Sequence, residues 1–405
     1  MRQLWIAVAI ALAGCGDDLE VDQPVGPDCS IPAEPEPVVP DGAVQLNESC
    51  TAACPAITAA GDGFLVAWSD ETEQVMHLDS SGAPSGPIHE LPGGGCPAIT
   101  HRNGVATLAY HEYGVGIWLA RFDDDGNGIG EPVLAVPRDG GGTVSLAASP
   151  DGYALVWQEG RSRNGPQDIL FAALDEQGAL VGEPRVLAAG EIGDESDSPF
   201  QDDVTMYDGP AVATVPDGVV AVWYTRTTIE MHHLGSDGTE LAWPSSQPAH
   251  APNRLFDYDL VEYSDAPLHL AASSTRVLAS WREIDSMNFH VTEAVAPSLE
   301  TGTTTRLRWE LASTRIAPTA SPEGFLALWD VRLEDGSRVL AWIALDQDGD
   351  EVGDVAFLPV DVDQRRHSVG VAHGSEGYVL VFANQHRNVY AMPLPMSLET
   401  GRLAP

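Results

Sequence analysis

Two stretches of the chain carry oxygen-bearing side chains at the spacing a hard cation needs. Asp346, Asp348, Asp350 and Asp354 stand at the first, third, fifth and ninth positions of one, and Asp123, Asp125, Asn127 and Glu131 take the same offsets in the other. A tightly curved loop with ligands so placed can surround Ca2+. The twelfth positions hold Phe357 and Leu134, where a closing bidentate Glu would be needed. The same Asp-x-x-Gly turn recurs without the extra acids at Asp79-Ser-Ser-Gly82 and Asp175-Glu-Gln-Gly178, so a hairpin demands it whether or not a metal binds. No cofactor is therefore expected, with calcium at the two acid-rich turns as the alternative.

A second set of carboxylates repeats along the chain. Asp70, Glu112, Glu159 and Glu283 each follow an aromatic by two residues, whereas Thr225, Val331 and Asn384 take the equivalent places elsewhere. If these positions share one face, four acids encircle a single mouth. Such a ring suits a cation, or acid/base chemistry if one carboxyl is shielded. Glycoside hydrolysis would need a pair about 5 to 9 Å apart. Strand-end acids are more often simply solvated.

Phe200, Tyr207, Phe256, Tyr258 and Tyr263 lie among many acids in the longest irregular segments, 190–209 and 244–267. Aromatic platforms beside carboxylates suit sugars, cationic peptides or basic protein surfaces. These five are the candidate ligand-binding residues, against the plainer reading that they pin long loops to a scaffold.

Four cysteines follow Cys15: Cys29, Cys50, Cys54 and Cys96. Four thiols allow three pairings, and an exported chain permits disulfides. Two structural bridges are expected, Cys54 with Cys96 across equivalent strand starts and Cys29 with Cys50. Zinc is disfavoured because no His stands at ligand spacing from Cys50 and Cys54. The chain lacks a Gly-x-Ser-x-Gly elbow, a His-Glu-x-x-His helix, a P-loop and a dinucleotide fingerprint. His101 and His111 stand alone. His232 and His233 are adjacent on an expected strand and must face opposite sides, one exposed and one packed.

The elements that carry these residues form a repeat. Aligned on the aromatic that ends the second strand, seven copies fall at Trp68, Tyr110, Trp157, Trp223, Trp281, Trp329 and Phe382, about 52 residues apart on average. Each copy reads as a small-residue strand, an apolar strand, a third strand into a Gly turn, and a fourth. Cys54-Pro-Ala-Ile-Thr58 and Cys96-Pro-Ala-Ile-Thr100 open the first two copies almost identically. Short even strands with one aromatic marker per unit predict an all-β fold, a seven-bladed β-propeller. The long intervals around Trp223 leave six or eight blades as alternatives. The last copy lacks a clear fourth strand, and Gly42-Ala-Val-Gln-Leu46 resembles one, so an N-terminal strand is expected to close the last blade. Over residues 42–405 the chain resembles the seven-bladed propellers of exported bacterial proteins, whose shared motifs are structural. Sialidase-type Asp boxes are not matched.

Sixty acidic residues face twenty basic ones, all Arg, for a formal charge of −40. A field of that sign repels phosphates, which argues against nucleic-acid partners. At the N-terminus, Arg2, an apolar run from Leu4 to Leu12, and Leu12-Ala-Gly-Cys15 read as an export signal, too short to span a bilayer. Leu12-Ala-Gly-Cys15 resembles the lipobox of bacterial lipoproteins. That resemblance implies cleavage after Gly14, lipidation of Cys15 and a stable membrane anchor. Gly16 in place of Asp implies outer-membrane or surface display rather than inner-membrane retention. The expected organisation is a signal peptide at 1–14, an acidic Pro-rich tether at 15–41 and a propeller at 42–405.

These readings converge on an exported, monomeric lipoprotein that uses the loop-rich face of its propeller as a non-catalytic binding or scaffold module. The expected ligand is an envelope protein, a peptide or a glycan. The alternative is a carbohydrate-active hydrolase or lyase that uses two of the four repeated carboxylates.

Overall fold

A computed structural model describes residues 39–47, 49, 52–137, 143–160, 167–192, 210–224, 228–242, 256–257, 269–284, 290–298, 304–309, 313–332, 338–360, 369–384, 386–394, 396–397 and 402–403. They all fall in one compact unit, Pro35–Pro405. No helix among them is long and apolar enough to cross a membrane.

Backbone hydrogen bonds join the described strands into seven antiparallel four-stranded sheets and a two-stranded one. The first sheet comprises Ala53–Ala60, Gly63–Ser69, Glu73–Leu78 and His89–Leu91. The second comprises Ala98–Arg102, Val105–Glu112, Gly116–Asp123 and Val133–Val136. The third begins at Val144–Ser149, the fourth at Ala211–Val215, the fifth at His269–Ala272, and the sixth at Ser313–Ser321. The seventh takes three strands from the end of the repeat, Val369–Gly374, Gly377–Ala383 and Val389–Leu394. Its fourth strand is Val44–Gln45, which pairs with Ala391 and Tyr390. The expected N-terminal closing strand is therefore present. Asn47 extends the seam, its side-chain oxygen accepting the backbone N–H of Val389 at 2.6 Å.

The arrangement is an all-β propeller because each second strand is apolar on both faces and cannot be solvated. Gly63–Ser69 is buried at every position. Successive side chains on a strand point to opposite faces, so Leu65 and Ala67 pack with Leu108 and Tyr110 of the second sheet. Phe64, Val66 and Trp68 turn the other way and pack with Val379, Val381 and Ala391 of the seventh. Each remaining pair of consecutive sheets encloses its own apolar cluster. Six of the aromatic markers, Trp68, Tyr110, Trp157, Trp223, Trp329 and Phe382, are essentially fully buried. Each lies in the cluster facing the preceding sheet.

Turns on one face latch neighbouring sheets together. Arg102, at the first hairpin of the second sheet, donates to Glu176 and to the Pro150 carbonyl of the third, both at 2.8 Å. Asp151 of the third sheet accepts from Ser236 of the fourth. Arg276 of the fifth reaches Asp348 of the sixth at 3.3 Å. Where the first sheet meets the second, Gly61 has a φ of +55°, and a Cβ there would come within 2.9 Å of Asp124, so that contact requires glycine on both counts.

Candidate functional site

The Asp-x-x-Gly turns use their first carboxylate as a turn cap. Asp123 accepts the backbone N–H groups of Asp125 at 3.0 Å and Asn127 at 2.8 Å, together with the Asn127 side-chain amide. Asp346 accepts those of Asp348 at 2.8 Å and Asp350 at 3.0 Å. Asp79 and Asp175, which lack the extra acids, make the same pair of bonds to the residues two and four positions on. Asp123 is held below its ordinary pKa chiefly by the Asn127 amide, and Asp79 by the Ser81 hydroxyl. Asp125, Asp348, Asp350, Glu131 and Asp354 are exposed. No three His, Cys, Asp or Glu side chains among the described residues are grouped to hold a metal ion.

The repeated carboxylates sit at or just beyond the ends of second strands. Asp70 accepts a hydrogen bond from Ser49 and the backbone N–H of Glu71. Glu112 is opposite Gly116, and Glu159 opposite Asp168. The side chain of Glu283 lies outside the described residues, as do Cys15, Cys29, Cys50, Phe200, Tyr207, Tyr258, Tyr263 and the side chain of Phe256. Cys54 and Cys96 form the expected disulfide, with 5.1 Å between their Cα atoms. His233 is buried and bonded to Asp217 at 2.9 Å, and His232 faces the other way and stacks on Trp223 at 4.5 Å. The two face opposite sides as expected, but neither is exposed, because His232 is half-buried against Trp223.

One feature that sequence reasoning missed is a cavity of about 760 Å³ on the face of the first hairpin turns. It lies at the opposite ends of the second strands from Asp70, Glu112 and Glu159. Six sheets converge there, the second contributing Arg102 and the seventh His373. A repeated turn was its sequence signal: Ser149-Pro-Asp-Gly152, Val215-Pro-Asp-Gly218 and Ser321-Pro-Glu-Gly324. In each, the proline and the residue before it line the cavity. Burial holds the His373 imidazole below its usual pKa, with the charge of Glu323 opposing the shift.

A second missed feature lies between the first two sheets. Glu73 is fully buried, and burial pushes its carboxyl up to about 8 despite hydrogen bonds from Ser69 and the Gly95 backbone. Beside it, the buried Tyr110 hydroxyl has no hydrogen-bond partner among the described residues. Burial, with the charges of Glu112 and Glu73, raises the Tyr110 phenol. In the sequence, Glu73 stands two residues before Val75 on the same strand face, and only the inward burial of that face distinguishes it from a solvated acid.

No family profile matches the chain, and no curated protein matches it. The likeness to solved structures is one of fold. The Neurospora crassa Pan2 WD40 domain is 8% identical with a TM-score of 0.50, over 90% of this chain and 98% of that one. The BBS1N domain solved in complex with ARL6DN is 10% identical with a TM-score of 0.49, over 88% and 98%. A subtype N10 neuraminidase-like protein of A/little yellow-shouldered bat/Guatemala/060/2010 is 8% identical with a TM-score of 0.43, over 74% and 97%.

Proposed function

We propose that this chain is an exported, lipid-anchored envelope protein whose propeller, read as seven blades closed by the N-terminal strand, is a non-catalytic binding or scaffold module. The observation that carries the binding reading is the cavity of about 760 Å³ where inner strands of six sheets converge. That volume is in the range of ligand sites, and its walls belong to a packed ring, so little ordering cost opposes binding. The anchor rests on Leu12-Ala-Gly-Cys15, and outer-membrane or surface display on Gly16. The ligand classes are an envelope protein, a peptide or a glycan.

Two experiments test this reading. Metabolic labelling with an alkyne fatty acid should mark the full chain and be lost in Cys15→Ser; equal labelling of both would remove the anchor. The soluble Cys15→Ser chain should then retain a partner in a screen of glycans and envelope proteins, with and without calcium. If a retained glycan is cleaved, and Glu112→Gln or Glu159→Gln abolishes cleavage, the hydrolase or lyase alternative replaces the binding module.

A further inference from the structure

The cavity has a mostly apolar wall without carboxylates, on a face whose turns carry acids. Ala148, Ala272 and Ala320 from three inner strands, with Pro150, Pro216 and Pro322 from the turns, make its apolar surface. No Asp or Glu is among its lining residues, although the chain has sixty. Its one guanidinium, that of Arg102, is held by Glu176 and the Pro150 carbonyl. His373 is kept toward its neutral form by burial.

The rim is different. The residue after each proline is an exposed acid, Asp151, Asp217 or Glu323, and Asp62 and Glu376 occupy the corresponding turns of the first and seventh sheets. Five of the seven first-hairpin turns thus carry an exposed carboxylate on the face where the cavity opens. The arginine in each of the other two turns, Arg102 and Arg276, is bound to an acid of the next sheet. Asp151 accepts a hydrogen bond from Ser236 of the fourth sheet, and Asp217 from His233 of its own sheet.

We propose that this cavity receives an extended segment of a partner protein that has an uncharged, small-residue body and arginine or lysine flanks. The body replaces water against alanine and proline, and the flanks lie within a Debye length of the rim carboxylates, where opposite charge steers encounter and fixes orientation. A uniformly cationic ligand would gain nothing from a wall without carboxylates, and an anionic one would be repelled at the rim. The inference deepens the binding-module reading and rests on it, but it places the partner on the hairpin face rather than among the long loops.

The test uses the full chain carrying Cys15→Ser and a fluorescent peptide of alternating alanine and proline with two arginines at each end. Serine-flanked and glutamate-flanked versions are the controls. Ser274→Trp and Thr214→Trp each fill the cavity without altering charge, and both positions are exposed enough to accept the change. Each should weaken binding at least about tenfold. The triple variant Asp151→Asn, Asp217→Asn, Glu323→Gln should do the same and flatten the salt dependence. Circular dichroism confirms that each variant folds, and the rim triple decides the matter should a tryptophan variant not fold. Unchanged binding in a folded filler variant, or equal binding of the serine-flanked peptide, overturns the proposal. A ligand from the glycan and envelope screen that still binds both tryptophan variants sinks this inference and leaves the binding module standing. No ligand in the screen and no peptide binding removes both.

Discussion

The Ser69 hydroxyl lies 2.9 Å from both carboxyl oxygens of Glu73, a side chain with no solvent exposure, at the joint between the first two sheets. That contact offsets only part of the cost of burial, so the carboxyl keeps its proton up to about 8. An unfolded Glu releases its proton near 4.5. The folded state therefore binds one proton more than the unfolded state between these limits. Its stability is full below about 4.5 and is lost as pH rises toward about 8, at about 1.4 kcal/mol per pH unit. Urea unfolding at pH 5, 6, 7 and 8 should give a slope in the native chain that Glu73→Gln removes. Parallel slopes would refute the burial argument.

The marker aromatics carry the sheet-to-sheet packing. Trp68→Ala empties a site between the first and seventh sheets and should cost about 3 to 5 kcal/mol. Denaturant midpoints read the loss, and Trp68→Phe should recover most of it. A cost below about 1 kcal/mol would mean that the joint does not depend on the marker.

Ring closure should be sensitive to one amide side chain. Asn47→Ala strips the acceptor from the buried Val389 N–H, and an unsatisfied buried donor costs about 1 to 3 kcal/mol. Hydrogen exchange should rise first at Val389 to Leu394. Uniform exchange across all sheets would instead mean that the closing seam opens only with global unfolding.

The capping carboxylates should matter without a metal. Asp123→Ala leaves the Asp125 and Asn127 N–H groups without their acceptor, whereas Asp123→Asn retains one. The first should lower stability by about 1 kcal/mol and the second by less. Calcium should leave the native melting temperature unchanged; a saturable rise that Asp123→Ala abolishes would restore the metal reading.

The Cys54–Cys96 bridge closes a span of 42 residues across the first two sheets. By loop entropy alone it is worth up to about 4 kcal/mol. Cys96→Ser should lower the melting temperature, and the loss should vanish when both proteins are compared under reductant.

Much of this architecture was legible along the chain because it is written in local periods. The aromatic markers, the apolar second strands, the Asp-x-x-Gly turns and the opposite facing of His232 and His233 follow from two-residue alternation and turn chemistry. The closing strand at 42–46 was legible as the missing member of a repeat. Cys54 and Cys96 were paired because their copies begin alike, and equivalent strand starts in adjacent sheets stand close together. The Glu73 joint had no such signal, and the repeated Pro-Asp/Glu-Gly turn marked the cavity's walls without showing that they meet. Arg102 and His373 meet at one opening only after the ring closes, and Glu73 is buried only because Tyr110 and the Gly93 to Gly95 segment pack over it.

By itself, then, the sequence determined an all-β repeat, its turns, its acidic surface and the strand that ends the ring, since each depends on residues within one unit or on composition. Only the tertiary structure decided which face holds the cavity and that Glu73 loses its water, because those depend on sheets brought together from distant parts of the chain by closure.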